Sequence, residues 1–228
     1  MIEMYDVWKT YPNGVYALKG INVKINKGEF VYVVGPSGAG KSTFIKLMYR
    51  EIKPTKGQIF LNGNNVERLK ERKIPNVRRN IGVIFQDYRL LPNLTIYENV
   101  AFAMEVTEAP KKQIKKRVPE VLEMVGLKNK MKSFPNQLSG GEQQRAAIAR
   151  ALTNNPGIII ADEPTGNLDL ETSWGIMKLF DDINFKGTTI IMATHNRDIV
   201  NSMKRRVIVI QNGHIARDDL QGGYSYEV

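Results

Sequence analysis

The chain has 228 residues, 42% hydrophobic and 25% charged, enough for one large domain with a substantial core. It contains no cysteine, which excludes a disulfide framework or thiolate metal site and suits a reducing compartment. A net charge of +10 points toward anionic partners, either nucleic acid or an anionic membrane surface.

The start, MIEMYDVWKTY, lacks the basic region and apolar stretch of a signal peptide. The apolar runs fall far short of the ~20 residues a membrane helix needs, so the chain is not expected to cross a membrane unaided. The first 30 residues alternate apolar and polar and read as short antiparallel strands. Phe30 to Gly35 reads as a buried strand that runs into a glycine-rich loop. Lys41 to Ile52 then has helical period, with Phe44, Ile45, Leu47 and Met48 facing inward. Residues 58–63 and 81–86 read as strands, and 95–106, 110–125 and 140–153 as helices. A strand (157–162), a helix (171–184), a strand (188–194), a short helix and two closing strands follow. The tail from Asp218 is polar and reads as loose.

The order is a β-rich start, an α/β core, a helical insertion at about 87–155, and the core again. No internal repeat or low-complexity tract interrupts it. The basic runs at 71–79, 111–117 and 204–206 read either as solvated faces or as attraction to anionic lipid. Aromatic residues do not interleave them, as a single-stranded nucleic-acid surface would want.

Gly35-Pro36-Ser37-Gly38-Ala39-Gly40-Lys41-Ser42 matches G-x-x-x-x-G-K-[ST] between a strand and a helix. Its glycines let backbone N–H groups turn toward phosphate oxygens, and the helix N-terminus adds a favourable dipole. Lys41 is expected to reach the β- and γ-phosphates and Ser42 to ligate Mg²⁺, with Thr43 beside it. A chance glycine turn is the competing reading. Asp162 and Glu163 stand at the C-terminal end of a buried strand, where α/β folds bind ligands. Alternation gives them different roles: Asp162 for Mg²⁺, Glu163 as general base. An acidic helix cap is the alternative. Leu138 to Arg145, LSGGEQQR, precedes a helix. Its bare glycines expose N–H groups to an anion, while Ser139 and Glu142 also fit a capping box. Within one monomer this segment is not expected to reach its own phosphate loop.

Phosphate loop, LSGGEQQR, strand-Asp-Glu and Ala193 to Asn196 (ATHN) resemble, in order and spacing, the nucleotide-binding domain of ABC ATPases over nearly the whole chain. The resemblance implies a P-loop NTPase (RecA-like) α/β core, an N-terminal antiparallel β subdomain and an inserted α-helical signature subdomain. The single domain, 1–228, would divide into core and β subdomain (about 1–86 and 156–228) and helical subdomain (about 87–155). By resemblance, Tyr11 would stack on adenine, Gln86 would sense Mg²⁺ and partner, and Asn167, Leu168 and Asp169 would cross a dimer interface. His195 would contact the γ-phosphate and hold the attacking water with Glu163; His214 reads as a surface residue.

ATP and Mg²⁺ are the implied cofactors. An ATP-dependent homodimer is implied, with Ser139, Gly140 and Gly141 of one copy covering the nucleotide of the other. Within the family, the segments at 85–106, 132–145 and 163–169 are similar to the cell-division branch, although EPTGNLD (163–169) is shared with lipoprotein-releasing and macrolide-export relatives. That branch implies a peripheral subunit on the cytoplasmic face of the cell membrane at the division septum. It would dock on the integral membrane protein FtsX and act indirectly on a peptidoglycan hydrolase, with no specific nucleic acid. The groove for that partner would lie beside residues 86–105, with Tyr88, Leu90 and Leu91 as contacts. Subunits of true exporters and ATPases acting on nucleic acid are the other readings. The latter usually carry coiled-coil insertions or two cassettes, and this chain has neither.

Overall fold

In the computed structural model, which describes residues 1–224, alternating burial along the first strands builds an antiparallel sheet. β1 (Ile2–Thr10) pairs with β2 (Tyr16–Ile25) on one side and β4 (Lys56–Leu61) on the other; β5 (Asn64–Asn65) closes the edge. Between β2 and β4 the chain leaves to form β3 (Phe30–Val34) and α1 (Lys41–Met48). All five residues of β3 are buried, as expected of a parallel strand covered on both faces.

β3 lies inside a second, six-stranded sheet. The other members are β6 (Ile81–Phe85), β7 (Ile158–Asp162), β8 (Thr189–Ala193), β9 (Arg206–Gln211) and β10 (His214–Asp219). Their order is β10-β9-β3-β8-β7-β6, parallel throughout except for β10 on β9. The period of two sends adjacent β3 side chains to different layers. Val31 and Val33 pack with Phe44 and Leu47 of α1 and with Met4, Leu18 and Ile59 of the antiparallel sheet. Tyr32 and Val34 face the remaining helices.

Those helices begin where the chain supplies caps. After the short α2 (Ile74–Arg78), α3 (Ile96–Glu105) starts at a Thr95/Glu98 capping box. α4 (Lys111–Met124) follows Pro110, and α5 (Gly140–Leu152) starts at a Ser139/Glu142 capping box. Asp169 caps α6 (Leu170–Phe185) and Asn196 caps α7 (Arg197–Met203). α3, α4 and α5 pack on one another through Val100, Met104, Val118, Leu122 and Ile148.

One expectation is corrected. The chain does not loosen at Asp218: β10 runs through Asp219, because Arg206 donates to both Asp218 oxygens (2.8 and 2.7 Å) and Arg217 pairs with Asp219. Tyr224 is buried; the remainder of that predicted tail, 225–228, lies outside the described residues. The basic stretch 71–79 keeps its charged residues exposed, as a solvated face requires, and buries only Ile74 of α2.

Candidate functional site

The parallel strands deliver their C-terminal ends to one rim. β3 ends there in the glycine loop, and the loop's shape is dictated by close approach. Gly35 has φ +150°, and a Cβ on it would stand 2.1 Å from the Ile210 carbonyl oxygen, so a side chain is excluded. α1 begins at Gly40 (φ 111°) with no side-chain cap, which leaves its first N–H groups for the loop. The Lys41 ammonium donates to the carbonyls of Gly35 (2.8 Å) and Pro36 (3.0 Å). Burial lowers its pKa, opposed by the negative charges of Glu163 and Asp162.

β7 ends at Asp162, pointing at the start of α1. Burial, reinforced by the charge of Glu163, holds the Asp162 carboxyl above its ordinary value, while a hydrogen bond from Ser42 pulls the other way. Glu163 stands one residue beyond the strand in the left-handed region (φ 49°), an arrangement that costs a non-glycine residue about 1–3 kcal/mol. Its N–H donates to Ala193 O (3.0 Å), tying it to β8. His195, two residues past β8, is exposed and donates from Nδ1 to the Glu163 carboxylate (2.8 Å). Such a bond fixes the ring and leaves Nε2 outward.

Two neighbouring cavities open on this rim. One, of about 400 Å³, is lined by Ser42, Gln86, Asp162, Glu163 and Asn167 together with Phe85, Asp87 and Arg89. The other, of about 350 Å³, is lined by Tyr11, Ser37, Gly38, Gly40, Lys41, Ser42, Thr43 and Glu163. Ser42 and Glu163 belong to both. Tyr11 lies just past β1, in the turn to β2, rather than in a strand, and its hydroxyl is 3.2 Å from Thr43 Oγ1. Gln86 donates to Asn167 Oδ1 (3.0 Å), and Asn167 returns a bond to the Gln86 carbonyl (3.2 Å).

Pro36 and Ala39 complete the loop's backbone; Ala39 is buried under it. Ser139, Gly140, Gly141 and Asp169 line neither cavity. Ser139 is held in the capping box. A Cβ on Gly141 would meet Thr172 Cγ2 at 2.3 Å, so α5 approaches α6 as only a glycine permits. Both Asp169 oxygens are engaged by Thr172, one by its N–H (2.8 Å) and one by its hydroxyl (2.6 Å). His214 is exposed at the start of β10 and lines neither cavity.

Arg89 and Arg150 were not singled out from the sequence. Arg150, on α5, donates to the carbonyls of Tyr88 (2.8 Å) and Arg89, consecutive residues that are both left-handed (φ 57° and 47°). The available signal was a lone arginine among the apolar positions of α5. The Arg89 guanidinium lies 3.7 Å from the Phe85 ring centroid. Phe85 and Arg89 also wall a third concavity, of about 480 Å³, on the far side of the 86–91 loop. Its apolar lining includes Leu91, Phe102 and Val106, which are 38%, 44% and 63% exposed. Tyr88 and Leu90 do not line it: the Tyr88 hydroxyl sits against Gly140, and Leu90 packs on the core.

A parallel sheet with a phosphate loop, an acidic strand end and a histidine on that acid defines a P-loop ATPase cassette. The profile of the ABC transporter family matches residues 18–166, and the chain belongs to that family. It is an ABC-type ATPase. It is 63% identical over 228 residues to the cell division ATP-binding protein FtsE of Bacillus subtilis, covering all of both chains. It is 44% identical over 227 residues to the FtsE of Escherichia coli K12, again over the full length of both. A solved dimeric ATP-binding cassette, in a post-hydrolysis state bound to ADP and Pi, superposes with a TM-score of 0.88 at 38% identity, covering 98% of this chain and 100% of that one.

Proposed function

We propose that this chain is the ATP-hydrolysing subunit of a cell-division ABC complex. ATP-driven closure of two copies moves an FtsX-type integral membrane protein, which in turn regulates a septal peptidoglycan hydrolase. Full-length identity to proteins named for cell division supports the biological role. Geometry supports the chemistry, and the observation that carries it is the convergence of Ser42, Gln86, Asp162 and Glu163 on one cavity with His195 on Glu163.

Backbone N–H groups of the loop and Lys41 hold the phosphates; Tyr11 stacks on the base. Glu163 accepts the proton of the attacking water, and His195 orients that carboxylate and reaches the γ-phosphate. Such a reaction needs positioning and charge stabilisation more than covalent chemistry. The Ser42 hydroxyl, the Asp162 carboxylate and the Gln86 amide are hard oxygen donors. Asp162 carries a charge that burial and Glu163 make costly. Those donors fit Mg²⁺, which takes one or two carboxylates and fills its remaining positions with water and phosphate. When bound, Mg²⁺ neutralises charge developing on the phosphates. Ser139, Gly140 and Gly141 complete the site of the second copy, since they line no cavity of their own chain's phosphate loop.

Among the described residues, no helix is long and apolar enough to cross a membrane. On this reading the chain is a peripheral subunit on the cytoplasmic face, docked through the groove at Leu91, Phe102 and Val106. The test is to tag the Glu163→Gln form, trap it with ATP in native membranes and identify what co-purifies. A protein with few spans and a large extracytoplasmic loop supports the division role. A multi-span permease moves the function to export and leaves the ATP site unchanged.

A further inference from the structure

Helix α4 carries its charges the wrong way round for a helix surrounded only by water. α3, α5 and α6 each place a glutamate in the first turn, where the positive end of the helix dipole favours it. α4 has no acid there and opens instead with Lys111, Lys112, Lys115 and Lys116; its acids, Glu120 and Glu123, come later. Lys111 and Lys115 stand four residues apart, as do Lys112 and Lys116, so like charges repel along the helix surface. All four side chains are exposed, and among the described residues none of their ammonium groups has an ion pair or hydrogen bond. Glu120 pairs with Arg117 (3.6 Å) and Glu123 with Lys128 (2.8 Å), while Glu105 and Glu108, just before the helix, pair with none of the four.

The rest of α4 is committed to the fold. Ile114, Val118, Val121 and Leu122 are buried in the core. Arg117 ties the helix to the end of α5 by donating to the carbonyls of Thr153 (3.3 Å) and Leu152 (3.1 Å). The four lysines thus weaken the helix without a compensating contact inside the protein. The start of α4 also adjoins the groove at Leu91, Phe102 and Val106. Pro110 and Gln113 line a concavity of about 390 Å³ that shares Arg79 and Asn154 with that groove.

Resting on the reading that the groove receives an integral membrane protein, which sets it against the bilayer, we infer that Lys111, Lys112, Lys115 and Lys116 form a contact surface for anionic phospholipid headgroups of the inner leaflet. Charge carries the contact rather than insertion, because the apolar face of α4 lies in the core and residues 111–116 expose no apolar side chain. Lysine ammonium groups are hydrated point charges, suited to a diffuse headgroup layer. Nucleic acid is the poorer fit, since no aromatic residue in the run offers a stacking platform. Each lysine at an anionic surface strengthens association about 5-fold, and the attraction decays within ~8 Å at physiological salt. The surface therefore orients a subunit that its partner already holds at the bilayer.

The purified full-length chain is sedimented with vesicles of phosphatidylglycerol and phosphatidylcholine in equal parts, and with phosphatidylcholine alone. Binding to the anionic vesicles only is expected, falling as salt rises. Replacing all four residues (Lys111→Gln, Lys112→Gln, Lys115→Gln, Lys116→Gln) should weaken that binding about 100-fold or more, with ATP turnover in solution at the parent level. Glutamine has nearly the helix propensity of lysine, so this variant should melt no lower than the parent. Arginine at the same four positions keeps the charge and should keep the binding. Equal binding by the parent and the glutamine variant, equal binding to both kinds of vesicle, loss of binding with arginine, or no binding at all overturns the proposal. So does tighter binding to a DNA duplex that depends on the same lysines. Docking is judged separately: the ATP-trapped Glu163→Gln form should recover the same integral membrane protein with or without the four glutamines, because Leu91, Phe102 and Val106 are untouched. Recovery of no such protein by either form sinks the docking reading, while the vesicle result still decides the role of the lysines.

Discussion

Replacing Glu163 with Gln tests the assignment of the general base with little change of shape. The Gln amide oxygen can still accept from His195 Nδ1, which lies 2.8 Å from the carboxylate. The left-handed backbone at Glu163 and its bond to Ala193 are unaffected by the side-chain change. What is lost is a proton acceptor, worth about 10²–10⁴ in rate, or roughly 2.7–5.4 kcal/mol of barrier. One negative charge also leaves the rim beside Asp162, so binding of the polyanionic ATP is not weakened. Phosphate release measured at saturating ATP should therefore fall at least about 100-fold, with ATP affinity within about 3-fold of the parent. Size-exclusion chromatography with ATP should show a dimer that the parent forms only transiently. A variant that keeps a tenth or more of the parent turnover, or stays monomeric with ATP bound, refutes the reasoning.

Ser139→Arg should cut turnover about 100-fold or more while leaving ATP affinity of the monomer unchanged. Loss of the α5 cap costs only about 1 kcal/mol, so a loss of turnover fully explained by unfolding would count against the reading. Asp162→Asn tests the buried charge. The folded chain holds this carboxyl above its ordinary pKa, so the ionised form weakens the fold at neutral pH and that cost fades as pH falls through the raised pKa. The variant should melt higher than the parent near pH 7.5, by about 2–4 °C per kcal/mol relieved, with the gap closing toward the ordinary carboxylate range. A gap independent of pH, or a lower melting temperature, would reject that account. Tyr11→Ala should weaken ATP binding by about 5- to 150-fold if the ring stacks on adenine, with Tyr11→Phe near the parent. Equal losses in both would shift the role to the hydroxyl at Thr43.

The elements that position the site were legible where one physical cause dominates. β3 is an uninterrupted apolar run because both its faces are covered, and α3, α5 and α6 announce their starts through Thr95, Ser139 and Asp169. Mixed causes hid the rest. α2 is five residues long inside a charged stretch and buries only Ile74, too little for a period to show. β10 reads as a closing strand in the sequence, but its last residues, Asp218 and Asp219, do not; Asp218 is ordered by Arg206, which is distant in sequence from most of what it grips. The third concavity joins Arg78 and Arg79 to Arg150 and Asn154, residues some seventy apart along the chain, so no local pattern could reveal its charge.

Other long-range contacts tie the signature segment to the 86–91 loop. Gly141 of α5 is seated on Thr172 of α6, Thr172 is held by Asp169, and Asn167 exchanges hydrogen bonds with Gln86. Arg150, three turns along α5 from Ser139, closes the ring by holding Tyr88 and Arg89. Two left-handed residues cost about 1–3 kcal/mol each, and two hydrogen bonds from a charged guanidinium return about 1.5–3 kcal/mol each. Arg150 thus offsets much of the backbone cost of the bent loop.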